Sequence, residues 1–187
     1  MLAAGLLLLT CTLSAQPGPA APARVLSPEM RADVLMARKL YREAIEAYRE
    51  APADSAVVAN KMGIAYHQLS ELGMAKRQYQ RAVRLNPRYA EAINNLGTVH
   101  YALRSYRRAI GYYKKALEIA PNSASIYSNL GTAYFARRKY DLAAQCLEKA
   151  LSLDAEVFEH RSTQGVLLQE RTVGERAKFH YQVAKLY

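Results

Sequence analysis

The sequence predicts an all-α solenoid of stacked helix–turn–helix units. Three observations carry this. Glycines stand at Gly63, Gly97, Gly131 and Gly165, each 34 residues after the last. Alanines keep the same step as Ala75, Ala109, Ala143 and Ala177, and again as Ala82, Ala116, Ala150 and Ala184. Three independent series at one period do not arise from composition, even in an Ala-rich chain. A fixed step of this size marks repeats of one supersecondary unit, which buries its apolar face only by stacking on its neighbours. Such an architecture offers a binding surface more readily than an active site.

Taken in order, residues 1–15 come first. Leu2 to Leu13 form a mostly apolar run, LAAGLLLLTCTL. It is shorter than the ~20 apolar residues of a spanning helix and has the length of a signal-peptide core. Leu13-Ser14-Ala15 offers a cleavage site before Gln16, but no Lys or Arg precedes the core. Leu8-Leu9-Thr10-Cys11 loosely resembles a bacterial lipoprotein box, with Thr where Gly, Ala or Ser is expected. A signal peptide, a lipoprotein anchor and a misassigned start all stay open. The expectation is an exported protein, periplasmic or secreted, and a cytoplasmic one if the start is misassigned. Residues 16–27 form a Pro/Ala linker with no capacity for a core.

In the body, prolines occur only at Pro28, Pro52, Pro87 and Pro121. Proline inside a helix loses a hydrogen bond and clashes with the preceding turn, so these four mark boundaries. Ser27-Pro28-Glu29 is a start signal, with Ser as cap and Pro in the first turn. Between Pro87 and Pro121 there is room for two helices. Ala92, Ile93, Leu96, Gly97 and His100 share one helical face, and Tyr106, Ala109, Ile110, Tyr113, Ala116 and Leu117 another. The break falls near Arg104-Ser105, so each unit is a helix–turn–helix.

These residues carry a family resemblance. Residues 90–123 combine Ile93, Leu96, Gly97 and His100 with Ala109, Tyr113, Ala116 and Pro121. This resembles the 34-residue tetratricopeptide repeat. Residues 124–157 match with Tyr127, Leu130, Gly131, Tyr134, Ala143, Leu147 and Ala150, though Ala155 replaces the closing proline. Residues 56–89 match with Ala59, Met62, Gly63, Tyr66, Ala75, Tyr79, Ala82 and Pro87. Gly at the eighth position and Ala at the twentieth and twenty-seventh let two helix backbones approach closely. A bulky residue there would overpack the pair.

The ends are more irregular. Residues 28–55 keep Tyr41, Ala44, Tyr48 and Ala51, with Ala32 as the small residue of a first helix. This is a degenerate first repeat with a clipped second helix. Residues 158–187 keep Gly165, Ala177, Tyr181 and Ala184 in register, yet Arg161 and Gln164 are polar where a core wants apolar side chains. Thr172-Val173-Gly174-Glu175 is also a capping box. The segment is either a partial fifth repeat or an irregular insert before a fresh helix.

No catalytic constellation emerges: there is no Gly-rich phosphate loop, no G-x-S-x-G and no H-E-x-x-H. His67, His100, His160 and His180 lack ligand spacing, and His100 stands where neighbouring units carry Tyr66 and Tyr134. It is therefore expected to be a packing residue. Cys146 stands alone in the repeats and Asp154, Glu156 and Glu159 suit a solvated turn. No enzyme activity, cofactor, metal or small-molecule substrate is expected.

The resemblance implies a right-handed superhelix whose concave groove is lined by first helices. Carried over by position, the groove comprises Val57, Asn60, Lys61, Ile64, His67 and Gln68 from one unit. The next gives Glu91, Asn94, Asn95, Thr98, Tyr101 and Ala102, and the third Ser125, Ser128, Asn129, Thr132, Phe135 and Ala136. Asn donates and accepts at once and suits a peptide backbone. Tyr101 and Phe135 would hold apolar side chains. Asn95 and Asn129 share the sixth position, as in the asparagine ladders of some peptide-binding arrays, and Lys61 breaks that series one unit earlier.

The formal net charge is +10. Its cations, among them Arg77, Arg81, Arg104, Arg107, Arg108, Lys114, Lys115, Arg137, Arg138 and Lys139, fall on second helices and turns, away from the groove. Nucleic acid is not expected, and a membrane only through an N-terminal anchor. The leading expectation is a non-enzymatic scaffold that binds an extended peptide or partner helix. The alternatives are the substrate-recruiting arm of a larger enzyme, such as a glycosyltransferase, and a basic adaptor using the convex face.

Overall fold

The computed structural model describes residues 26–157. Eight α-helices follow one another as four hairpins: α1 (Pro28–Ala37), α2 (Tyr41–Arg49), α3 (Ala56–Gln68), α4 (Leu72–Leu85), α5 (Ala90–Ala102), α6 (Tyr106–Ile119), α7 (Ala124–Ala136) and α8 (Tyr140–Leu153). No strand occurs among the described residues. The expectations on the N-terminal apolar run, on Gly165, Ala177 and Ala184, on His160 and His180, and on the capping box at 172–175 lie outside them.

Starts and stops follow local chemistry. The Ser27 hydroxyl accepts from the Met30 N–H, and the Ser55 hydroxyl accepts from the Val58 N–H, each at 3.2 Å. Both satisfy a donor that the first helical turn leaves open. Each hairpin turn closes the same way. Lys39, Ser70, Arg104 and Arg138 hold the left-handed conformation at φ 61°, 60°, 56° and 58°. The next residue's N–H then reaches back five residues, as in Glu71 to Tyr66 and Ser105 to His100. This is the Schellman closure, which usually recruits Gly at the left-handed position.

Within a hairpin the small residues decide how close the helices come. Ala44, Ala75, Ala109 and Ala143 are fully buried, as are Ala82, Ala116 and Ala150. A methyl carbon on Gly63 would lie 2.5 Å from the Tyr79 ring, and one on Gly97 would lie 2.5 Å from Tyr113. On Gly131 it would lie 2.8 Å from Leu147. The large side chain of each second helix thus fills the volume that the glycine vacates. Ala32 takes the equivalent place beside Tyr48, both buried in one cluster.

Consecutive hairpins stack, α2 on α3, α4 on α5 and α6 on α7. The odd-numbered helices also touch one another, α3 with α5 and α5 with α7. They form one face of the solenoid. α2 has 9 residues where α4, α6 and α8 have 14. Beside its early end lies a cavity of about 250 Å³ lined by Ala51, Val58, Met62, Met74, Gln78 and Arg81, among others. Gln78 Oε1 is buried without a hydrogen-bond partner among the described residues.

Candidate functional site

The odd-helix face gathers the candidate residues in register. Fifth positions place Asn60, Asn94 and Ser128 in a row, and sixth positions place Lys61, Asn95 and Asn129 beside them. Asn60, Asn94, Asn95, Ser128 and Asn129 are at most 2% exposed. Thr98 and Thr132 are also buried, and their hydroxyls donate to the carbonyls of Asn94 and Ser128 one turn back. Ile64, His67, Tyr101 and Phe135 are half-buried. Val57 is exposed, and Glu91, Gln68 and Ser125 are half-buried nearer the ends of their helices.

The asparagines were expected to serve a ligand backbone; the structure ties them to each other. Asn95 Nδ2 donates to Asn60 Oδ1, and Asn129 Nδ2 donates to Asn94 Oδ1, both at 3.0 Å. Asn94 Nδ2 to Asn95 Oδ1 joins these two rungs at 3.4 Å, and Asn60 Nδ2 extends the relay to the Tyr89 hydroxyl at 3.4 Å. The rule is that a sixth-position donor reaches the fifth-position acceptor of the preceding hairpin.

Lys61 obeys this rule instead of breaking the series. Aligned on Ala32, the first hairpin carries Glu29 at its fifth position and Asp33 at its ninth. Lys61 Nζ donates to Glu29 Oε1 at 2.8 Å and to Asp33 Oδ2 at 2.7 Å. These carboxylates hold the Lys61 ammonium above its ordinary pKa, although burial acts first and in the opposite direction. Glu29, Asp33 and Tyr89 were missed as members of this face. The fifth-position alignment of Glu29 was the available signal, hidden by the irregular length of the first unit.

A second pairing runs inside each hairpin, between the ninth position and the large residue of the second helix. The Tyr48 hydroxyl donates to Asp33 Oδ1 at 2.6 Å, and that of Tyr113 to Thr98 Oγ1 at 3.4 Å. Tyr79 meets Ile64 at that position, and its buried hydroxyl has no partner among the described residues. Burial pushes all three phenols well above their usual range.

The histidines differ in setting. His100 is buried and stacks on Tyr112 with ring centres 5.2 Å apart. It is a packing residue. Burial lowers the pKa of His67 to about 4, so its ring is neutral near pH 7. Burial raises the Cys146 thiol to about 11, which makes it a poor nucleophile. Asp154 caps its own turn, its carboxylate accepting from the Glu156 N–H at 3.0 Å. No cluster of three or more His, Cys, Asp or Glu placed to hold a metal occurs among the described residues.

At the hairpin turns the odd-helix face meets a basic rim. Tyr101 packs on Tyr106 with ring centres 5.2 Å apart, and Phe135 on Tyr140 at 5.4 Å. The face therefore ends in two aromatic pairs, one per hairpin, beside arginine-rich turns.

Comparisons with known proteins agree with this fold. Residues 60–124 match one family model described as tetratricopeptide repeat, and residues 124–156 match another of the same description. Together they span about half of the 187 residues. No curated protein matches the sequence. Among solved structures, a crystal structure of MamA superposes with a TM-score of 0.62 at 27% identity, over 71% of this chain and 80% of that one. MamA 41-end from Desulfovibrio magneticus RS-1 gives 0.61 at 22% identity, over 83% and 86%. YrrB, described as a tetratricopeptide protein with an unusual peptide-binding site, gives 0.59 at 21% identity, over 69% and 68%.

Proposed function

The chain belongs to the tetratricopeptide-repeat family, and from that membership we propose that it is a non-enzymatic scaffold holding an extended segment or helix of a partner protein along its odd-helix face. One observation carries the reading. Three junctions fix the spacing of four inner helices by the same donor-to-acceptor rule, so the face is a preorganised surface. Preorganisation raises affinity by removing ordering costs at the moment of binding. The amide relay sets the geometry, and Tyr101, Phe135, Ile64 and His67 supply the contact surface. The peptide-binding site named for YrrB, in the same fold, is consistent with this use.

The apolar run Leu2–Leu13 supports an exported scaffold. N-terminal sequencing of the mature protein tests that part: a product that retains Met1 in its native host rejects it. The binding face is tested on a partner captured with the full chain. Truncating an aromatic anchor costs ~2 kcal/mol or more, about thirtyfold in affinity. Tyr101→Ala/Phe135→Ala should reach that loss, whereas Lys114→Ala/Lys115→Ala, on the exposed side of α6, should stay near wild type. Loss in the lysine variant alone rejects the odd-helix face.

A further inference from the structure

We propose that the cavity between the third and fourth hairpin turns is a binding site for a phosphate group. Arg104, Ser105, Tyr106, Arg107 and Arg108 from the α5–α6 turn and Arg137 from the α7–α8 turn line an open cavity of about 340 Å³. Four of the six lining residues are arginines and none is acidic. The ion pairs among the described residues engage Arg31, Arg42, Arg49 and Lys61, all in the first two hairpins, and none of these four arginines. Arg138 and Lys139 continue the charge next to Arg137.

The fold does not require this cluster. The preceding turn closes with the same left-handed conformation, at Ser70, and the same back-reaching hydrogen bond. Yet at the positions of Arg104, Arg107 and Arg108 it carries Ser70, Gly73 and Met74. Four guanidinium groups around one space repel each other. An oxyanion relieves the repulsion. Arginine suits phosphate in particular, because its planar fork donates two parallel hydrogen bonds to tetrahedral oxygens, which lysine cannot do. Ser105 adds a hydroxyl that makes no capping bond at the start of α6. Tyr106, in the lining, packs on Tyr101 of the odd-helix face. A phosphate here would therefore sit at the rim of that face.

The test is calorimetric titration of the full chain with inorganic pyrophosphate. Saturable binding at one site is expected. Arg107→Gln/Arg137→Gln removes one cation from each turn and spares the left-handed positions, so its melting temperature should match wild type. It should weaken pyrophosphate binding at least tenfold, while Lys114→Gln/Lys115→Gln stays within twofold. Equal weakening by both variants means diffuse attraction to a +10 protein and overturns the site; so does the absence of saturation at millimolar pyrophosphate. A phosphoserine peptide and its serine counterpart identify the source. Preference for the phosphopeptide by tenfold assigns the phosphate to a partner protein, and equal binding of the two peptides assigns the site to a free phosphate compound. Pyrophosphate binding needs no partner on the odd-helix face, so failure of the scaffold reading leaves this result standing, and the reverse.

Discussion

The Tyr48, Tyr79 and Tyr113 side chains do the same packing job with three different polar outcomes. All three rings are at most 2% exposed and fill the gap beside a small residue. Tyr48 donates to a carboxylate, Tyr113 to a hydroxyl at the limit of bonding distance, and Tyr79 to nothing described. A hydrogen bond to a charged group contributes ~1.5–3 kcal/mol, a neutral one ~1 kcal/mol, and an unsatisfied buried hydroxyl costs ~1–3 kcal/mol. Removing the hydroxyl should therefore rank the sites. Tyr48→Phe should lose ~2 kcal/mol and Tyr113→Phe under ~1 kcal/mol, whereas Tyr79→Phe should be neutral or stabilising. Urea denaturation of the three variants checks the order, and a Tyr79→Phe loss equal to that of Tyr113→Phe would contradict it. The rings were legible in the sequence as core, because they recur at one register. Their hydroxyl partners were not, because the ninth position changes from Asp33 to Ile64 to Thr98 without any periodic signal.

Between residues and the whole, the hairpin is the unit in which helix propensity and close packing compete. Gly97 and Gly111 are both helical, and neither has positive φ. A helix interior favours Ala over Gly by ~1 kcal/mol. At Gly111 nothing lies within 4 Å of an added methyl carbon. Gly111→Ala should thus stabilise by ~0.5–1 kcal/mol. At Gly97 the methyl carbon would meet the fully buried Tyr113 ring at 2.5 Å, which has nowhere to move. Overpacking of this kind costs ~1–3 kcal/mol and outweighs propensity, so Gly97→Ala should destabilise. Opposite signs in thermal denaturation are the check; a stabilising Gly97→Ala would remove Gly97 from a close helix contact. The sequence distinguished these glycines by period alone, since Gly63, Gly97, Gly131 and Gly165 recur at 34 and Gly111 does not. It was less informative about the turns. Lys39, Ser70, Arg104 and Arg138 stand where Gly usually announces a Schellman stop, so the helix ends showed only through the change of apolar face.

At the scale of the solenoid, stability comes from hairpins plus nearest-neighbour junctions, so a junction variant should act locally. The three junctions share one connectivity but not one chemistry. Asn95 to Asn60 and Asn129 to Asn94 are buried amide rungs, whereas Lys61 to Glu29 and Asp33 is ionic, with side chains 30%, 37% and 44% exposed. That shared connectivity was half legible: the sixth-position asparagines stood out, but Lys61 looked like an interruption because residue type changed while geometry did not. Exposed ion pairs contribute ~0–1 kcal/mol and weaken with salt, so the first hairpin should be held less firmly than the rest. Lys61→Met should raise amide hydrogen exchange in α1 and α2 severalfold, and 1 M salt should do the same to wild type. Both should leave α5 to α8 unchanged. Asn95→Leu behaves differently, because it strands Asn60 Oδ1 in a buried setting at a cost of ~1–3 kcal/mol. Its loss falls at the middle junction, so exchange should rise on both sides, in α3 and in α5. Lys61 also titrates with a defined sign. Its pKa is raised by folding, so the stability it contributes is present below the ordinary lysine value near ~10.4 and lost as pH climbs above it. Alkaline titration should then loosen α1 and α2 before the other helices. Uniform loosening of all eight helices in high salt would show that the ionic junction is no weaker than the amide ones.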